Sequence, residues 1–278
     1  MGSRRGAACL IGLALSAVPG FAQPAAALPA SDAAPAPLTR AQGQRVLQQA
    51  RAAHYSLWGA GMLGLSCKVQ PDWDAFYQQM KVNSLGRTRL LPLLRPVALA
   101  VVVAADGSAT VTHHPEIAAV ADPEVAASAR SSVADIENTV HGFLATWSSL
   151  AVDTPLPKLT DAYQLESLKG KYLVTYNDGP AVVHTTIGAD FAVEEMFYAA
   201  PALTVSIHPS WIKVQGKFLL SGYEGSTGLA SPSATRLTAN IDNHTVEGLQ
   251  LPAAVRFSAD IGELSFTFSD CLVQKRPP

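Results

Sequence analysis

Charge is scarce in this 278-residue chain: 15% of its residues are charged, against 48% hydrophobic. The 20 basic and 22 acidic residues form no basic stripe, so nothing is arranged to neutralise phosphates and nucleic acid is excluded as a partner. Long apolar runs are also missing. A helix needs about 20 apolar residues to cross a bilayer, and no segment after the first few dozen residues approaches that without interruption. The one early stretch, Ala7 to Val18, follows Arg4 and Arg5 and precedes Gly20-Phe21-Ala22. A charged start, a short apolar stretch and a small-residue site are the parts of an export signal cleaved before Gln23. Cys9 lies within the apolar stretch rather than after it, which is the wrong place for a lipid-modified cysteine. The expectation is a signal peptide over 1–22, a periplasmic or secreted bacterial protein, and no transmembrane segment in the mature chain.

The signatures of common chemistries are absent too. There is no Gly-x-Ser-x-Gly elbow and no Gly-rich phosphate loop ahead of a helix. None of the seven histidines, His54, His113, His114, His141, His184, His208 and His244, has a partner at the spacing of a helical zinc site. His113 and His114 are neighbours on a strand and point to opposite faces, which suits a solvated strand end better than a chelate. Glu194 and Glu195 are adjacent in the same way, whereas a glycosidase needs two carboxylates converging on one bond. His54 interrupts an apolar helix face and reads as a hydrogen-bonded packing residue. Asn243-His244-Thr245 matches a glycosylation acceptor but is given no role. These absences point to a protein that is not an enzyme and holds no cofactor and no metal.

Without residues 1–22 the chain has 256 residues, with 18 bases against 22 acids and a net charge near −4. Two cysteines remain, Cys67 and Cys271, in a compartment where disulfides persist. A reactive thiol pair would more naturally be a close Cys-x-x-Cys. A structural bridge closing so long a loop contributes roughly 5 kcal/mol in the chain-entropy model. It requires the two Cα atoms to lie within about 7 Å, bringing the strand at 67 beside or over the strand at 271. The phases conflict: Cys67 alternates with Leu63, Leu65 and Val69, but Cys271 alternates with Ser265, Thr267 and Ser269. A bulge or a local change of face is needed for direct neighbours to bond.

Residues 23–37 are dominated by Ala and Pro and read as a disordered linker, followed by one β-rich domain over 38–276. Thr39 can cap a helix over about 40–60, whose face carries Val46, Ala50, Ala53 and Leu57. A short strand through Cys67 ends at Pro71, and a second helix is expected over 72–83. "VALAVVVAADGSATVTHH" reads as a hairpin with an Asp106-Gly107 two-residue turn. Its large residues Val97, Leu99, Val101 and Val103 face one way, and Ala98, Ala100 and Ala104 the other. Val133, Ile136, Val140, Phe143, Leu144 and Trp147 fall at helical intervals and predict a long helix over 124–149.

The remainder reads as strands near 163–169, 171–177, 180–187, 191–199, 211–223, 234–246, 251–260 and 263–273, an antiparallel meander. In "PSWIKVQGKFLLSGYEG", Trp211, Phe218 and Tyr223 sit among Gly216, Gly222 and Gly225, and glycine within a strand marks a bend or a close approach. Leu251, Val255 and Phe257 share one face of the penultimate strand, and Leu264, Phe266, Phe268 and Leu272 share one face of the last. The expected class is α+β: a curved antiparallel sheet or half-barrel covered by the N-terminal helix and a second long helix.

This order of export signal, amphipathic N-terminal helix, meander and final hairpin resembles the lipoprotein-carrier superfamily of LolA and LolB type. "VEGLQLPAAVRF", Val246 to Phe257, is similar to the Gly and Leu-Pro strand entry of that superfamily. The resemblance implies an incomplete barrel around an apolar cavity, with helices as a lid and acyl chains inside. Phe218, Leu220, Val255, Phe257, Phe266 and Phe268 would then line the cavity, each CH₂ removed from water contributing about 0.8 kcal/mol. The chain departs from the pattern in its helix at 72–83, its insertion near 124–150 and its cysteine pair. Two functions therefore stand, the first leading, ahead of a hydrolase as a third. One is a binding protein for an apolar small molecule, lipid or acyl chain. The other is a non-catalytic structural or interaction module of the cell envelope, with a filled interior and an envelope protein as partner.

Overall fold

The computed structural model describes residues 36–79, 84–117, 122–201, 203–228, 235–259 and 262–276. The expected signal peptide and all of the linker before Ala36 lie outside them. In chain order the described elements are β1 (Ala36–Pro37), α1 (Arg40–Ala53), β2 (Met62–Pro71), α2 (Trp73–Gln79), α3 (Ser84–Leu94), β3 (Ala98–Ala104), β4 (Ala109–His114) and α4 (Pro123–Trp147). They continue with β5 (Tyr163–Leu168), β6 (Lys171–Asp178), β7 (Ala181–Ile187), β8 (Val193–Ala200) and β9 (Leu203–Val214). The last four are β10 (Lys217–Gly228), β11 (Thr235–Val246), β12 (Leu249–Ala259) and β13 (Gly262–Lys275). The protein is an antiparallel sheet structure with few helices, and its described residues divide into two compact units, 36–56 with 154–238 and 57–153 with 239–276.

In the first unit the strand order is β1-β5-β6-β7-β8-β9-β10, followed by the first residues of β11. Ala36 and Pro37, the end of the expected linker, pair with Ser167 and Glu166. Thr39 opens α1 with a capping box: its hydroxyl accepts the Gln42 amide, and the Gln42 carboxamide oxygen accepts the Thr39 amide. The helix buries Val46, Leu47 and Ala50 and stops at Ala53, seven residues short of the expected end. His54 is already extended, and the Tyr55 amide bonds the Phe218 carbonyl at 2.8 Å, so the sheet takes the backbone that would have continued the helix.

The strand expected over 211–223 is in fact the inner half of a hairpin, β9 turning into β10 at Gln215-Gly216, both with positive φ. The same two-residue left-handed turn recurs at Lys169-Gly170 and Glu247-Gly248, matching the right-handed twist of the flanking strands. The β3/β4 connection differs from the expected two-residue turn. Ala104 accepts from Gly107 and donates to Ser108, and the Asp106 carboxylate takes the Ser108 amide and hydroxyl, so only Gly107 is left-handed.

In the second unit the rest of β11 is followed by β12, β13, β2, β3 and β4. In neither unit does the first strand pair with the last, so neither set closes. α4 starts at the N-cap Asp122, whose carboxylate accepts the Glu124 and Val125 amides and also bonds Arg89 of α3. Its buried stripe, Val133, Ile136, Val140, Phe143, Leu144 and Trp147, is the one its spacing predicts. Two further polar contacts hold it: the Tyr77 hydroxyl of α2 meets Ser132 Oγ at 2.5 Å, and His113 Nδ1 of β4 meets Glu137 Oε1 at 2.9 Å. α3 answers to no sequence signal, since it is barely amphipathic and contains Pro92.

Candidate functional site

The cysteines form the predicted bridge, with Cα atoms 4.1 Å apart on the neighbouring strands β13 and β2. The phase conflict is resolved inside β13. Pairing with β2 runs regularly to Ser269 opposite Lys68, then resumes with Leu272 opposite Ser66, leaving Asp270 and Cys271 as an irregularity in the ladder. Asp270 has φ +51°, a conformation Asp adopts more readily than most residues. The extra residue turns Cys271 to the side of Cys67 and reverses the face of everything after it. Leu272, expected on the apolar face with Phe266 and Phe268, is instead 70% exposed.

All six residues expected to line a cavity are buried. Phe218 and Leu220 belong to the first unit, and Val255, Phe257, Phe266 and Phe268 to the second. The second group is packed against α4. The Phe143 ring lies 5.8, 5.7 and 6.1 Å from those of Phe257, Phe266 and Phe268, mostly edge to face, which is the favoured geometry of aromatic pairs. Phe218 sits at the end of α1, its ring 5.5 Å from that of His54, with the Lys213 ammonium 4.9 Å from its centroid.

His54 is a staple. Its Nδ1–H donates to the Ala50 carbonyl at 2.8 Å and its Nε2 accepts the Val193 amide at 3.3 Å. Both nitrogens are used, and the two bonds require the neutral tautomer with its proton on Nδ1. The Trp211 ring meets His54 edge-on at 4.7 Å, and its indole N–H donates to the Val193 carbonyl at 2.7 Å. Burial pushes the His54 pKa down, against the opposing pulls of the Ala50 carbonyl and the Asp190 carboxylate.

One constellation has the components of nucleophilic catalysis. Ser206 Oγ lies 3.2 Å from His208 Nε2 and 3.2 Å from Glu195 Oε1. The three do not stand in series: the imidazole Nε2 and the carboxylate both face the one hydroxyl, and Nε2 lies 3.8 Å from Glu195 Oε1, so the carboxylate does not orient the imidazole through its other nitrogen. The imidazole and carboxylate are about half exposed as well. Glu194 faces a different partner, Lys171 at 2.6 Å, so the adjacent glutamates do not converge. Among the described residues no group of three His, Cys, Asp or Glu side chains is placed to hold a metal ion. No described helix is long and apolar enough to cross a membrane.

The outer face of the second unit carries a feature the sequence reading passed over, a shallow groove of about 490 Å³. Ala98 and Ala100 lie in it, Lys68 and Asp270 border it on one side, and His114 and Pro115 on the other. The signal was present in β3, where the alanines alternate with large residues and leave that face without side-chain bulk. Compared with known proteins, the chain matches no family profile, no curated protein and no solved structure.

Proposed function

We propose that the protein is an exported, non-catalytic interaction module of the cell envelope whose inward apolar faces are core. The observation that carries this reading is the closure of Phe143 on Phe257, Phe266 and Phe268, which places protein rings where the carrier resemblance would put an acyl chain. Both ends of the covering element are tied down. α4 is held near its start through Asp122 and Ser132, and just beyond its end the Ala151 and Val152 carbonyls accept the Leu57 and Trp58 amides. The Cys67–Cys271 bridge suits an oxidising compartment.

The second reading is the lipoprotein-carrier-like one, a half-barrel with helices as cover and a lipid or acyl chain held on the apolar face. What favours it is that the contact of Phe143 with β12 and β13 is wholly apolar, so an acyl chain could replace it in kind. Organic extraction of the purified protein, together with titration of a fluorescent fatty acid, separates the two. The core reading expects no stoichiometric lipid and no saturable binding. One lipid per chain would replace it with the carrier reading.

A further inference from the structure

The outer face of β13, β2, β3 and β4 is solvent-exposed and mixed, with Leu272, Val102 and the alanines of β3 standing among Ser66, Lys68, Ser269, Thr110 and Thr112. Leu272 and Val102 are 70% and 50% exposed, the highest values among the exposed large hydrophobic residues described. The register puts them on one row: Leu272 pairs with Ser66, Ser66 with Val102, and Val102 with Thr110. The next row runs from Ser269 through Lys68 and Ala100 to Thr112. The groove over Ala98 and Ala100 therefore lies diagonally across the face from the protruding Leu272. Lys68 and Asp270 both border this groove, and neither takes part in an ion pair or side-chain hydrogen bond among the described residues.

We propose that this face is a two-fold interface between two copies of the chain, with Leu272 of each seated over Ala100 of the other and Lys68 of each paired with Asp270 of the other. The partner follows from self-complementarity. The face presents one knob and one recess, and one cation and one anion, which is what an isologous contact requires of a single patch. The directions agree as well. Leu272 and Asp270 are both on β13, and their complements, Ala100 on β3 and Lys68 on β2, both lie on the β4 side of it, in the row that pairs Ser269 with Lys68. The Asp270 irregularity creates the arrangement, since it turns Leu272 outward and brings its own carboxylate to the rim. Apolar burial supplies the attraction and the crossed charges fix the register.

The inference rests on the interaction-module reading and names its partner, but it fails separately. A monomer that binds no lipid removes the dimer alone, and a dimer that binds lipid removes the core reading alone.

The test is sedimentation velocity of the purified chain over a micromolar concentration series, with Lys68→Glu, Asp270→Lys and their equimolar mixture. The wild type is expected to dimerise reversibly. Each single variant, which sets like charges face to face, should weaken the dimer by at least about tenfold. The mixture should restore it, because the heterodimer regains opposite charges at both contacts. Lys169 already adopts φ +48° in this chain, so lysine is tolerated in the conformation of residue 270, and melting curves check the fold of each variant. Leu272→Ser, at a position making no core contact, should weaken the dimer without touching the bulge. A monomer at every concentration overturns the proposal, as does a dimer indifferent to these variants or a mixture that fails to recover.

Discussion

Phe268 and Leu272 stand on opposite faces of β13, 6% and 70% exposed, although a regular strand puts residues four apart on the same face. The single extra residue at Asp270 accounts for this, and it links two otherwise separate facts, the disulfide and the exposed Leu272. Deleting Asp270 should restore the two-residue period, turning the cysteine away from Cys67 and the leucine inward. Both sulfurs should then react with a thiol reagent under denaturing, non-reducing conditions. Stability should fall by roughly 2–5 kcal/mol, the usual cost of losing a native bridge. An intact bridge in the deletion variant would contradict the role given to the bulge.

His54 makes stability depend on mildly acidic pH. Its folded-state pKa lies below its ordinary value of 6.5, so the unfolded chain binds the proton more readily. The contribution is whole above about pH 6.5 and is lost as pH falls from there toward the folded pKa, at no more than about 1.4 kcal/mol per pH unit. Urea midpoints measured between about pH 7.5 and about pH 5.5 should decline for the wild type and decline less for His54→Gln. An equal slope in both proteins would show that the staple is not the titrating group.

Thr185 is fully buried on β7 between Val174 and Met196, and its hydroxyl has no hydrogen-bond partner among the described residues. Thr185→Val keeps the shape and removes the unpaired group, so it should stabilise the fold by about 1 kcal/mol. Denaturant unfolding checks it. A loss of stability would mean that the hydroxyl is satisfied.

How far the sequence could be read varies with the range of the physics involved. The N-cap at Thr39, the stripe of α4 and the final hairpin are set by short spacings, and each is legible. The cysteine phases disclosed that β13 or β2 must carry an irregularity, but could not say at which residue. Gln215-Gly216 was missed because apolar alternation continues through it and glutamine is a poor turn signal. α3 was missed because a helix with Pro92 and little amphipathic pattern is supported by its neighbours rather than by its own sequence. The meeting of Ser206, His208 and Glu195, and the placing of Lys68 and Asp270 on one groove, depend on register between strands. The groove over Ala98 and Ala100 was half legible, since β3 showed a small-residue face, but nothing local showed that Leu272 would join it.

The claim on which this account turns is that the inward face of β12 and β13 is filled by the protein's own side chains. Phe143→Ala tests it most directly, by urea unfolding of the purified chain. A ring packed among Phe257, Phe266 and Phe268 predicts a loss of about 3–5 kcal/mol, with no fatty-acid binding before or after the substitution. A loss under about 1 kcal/mol, accompanied by saturable fatty-acid binding in the wild type, would show that the face is a ligand site and contradict the account.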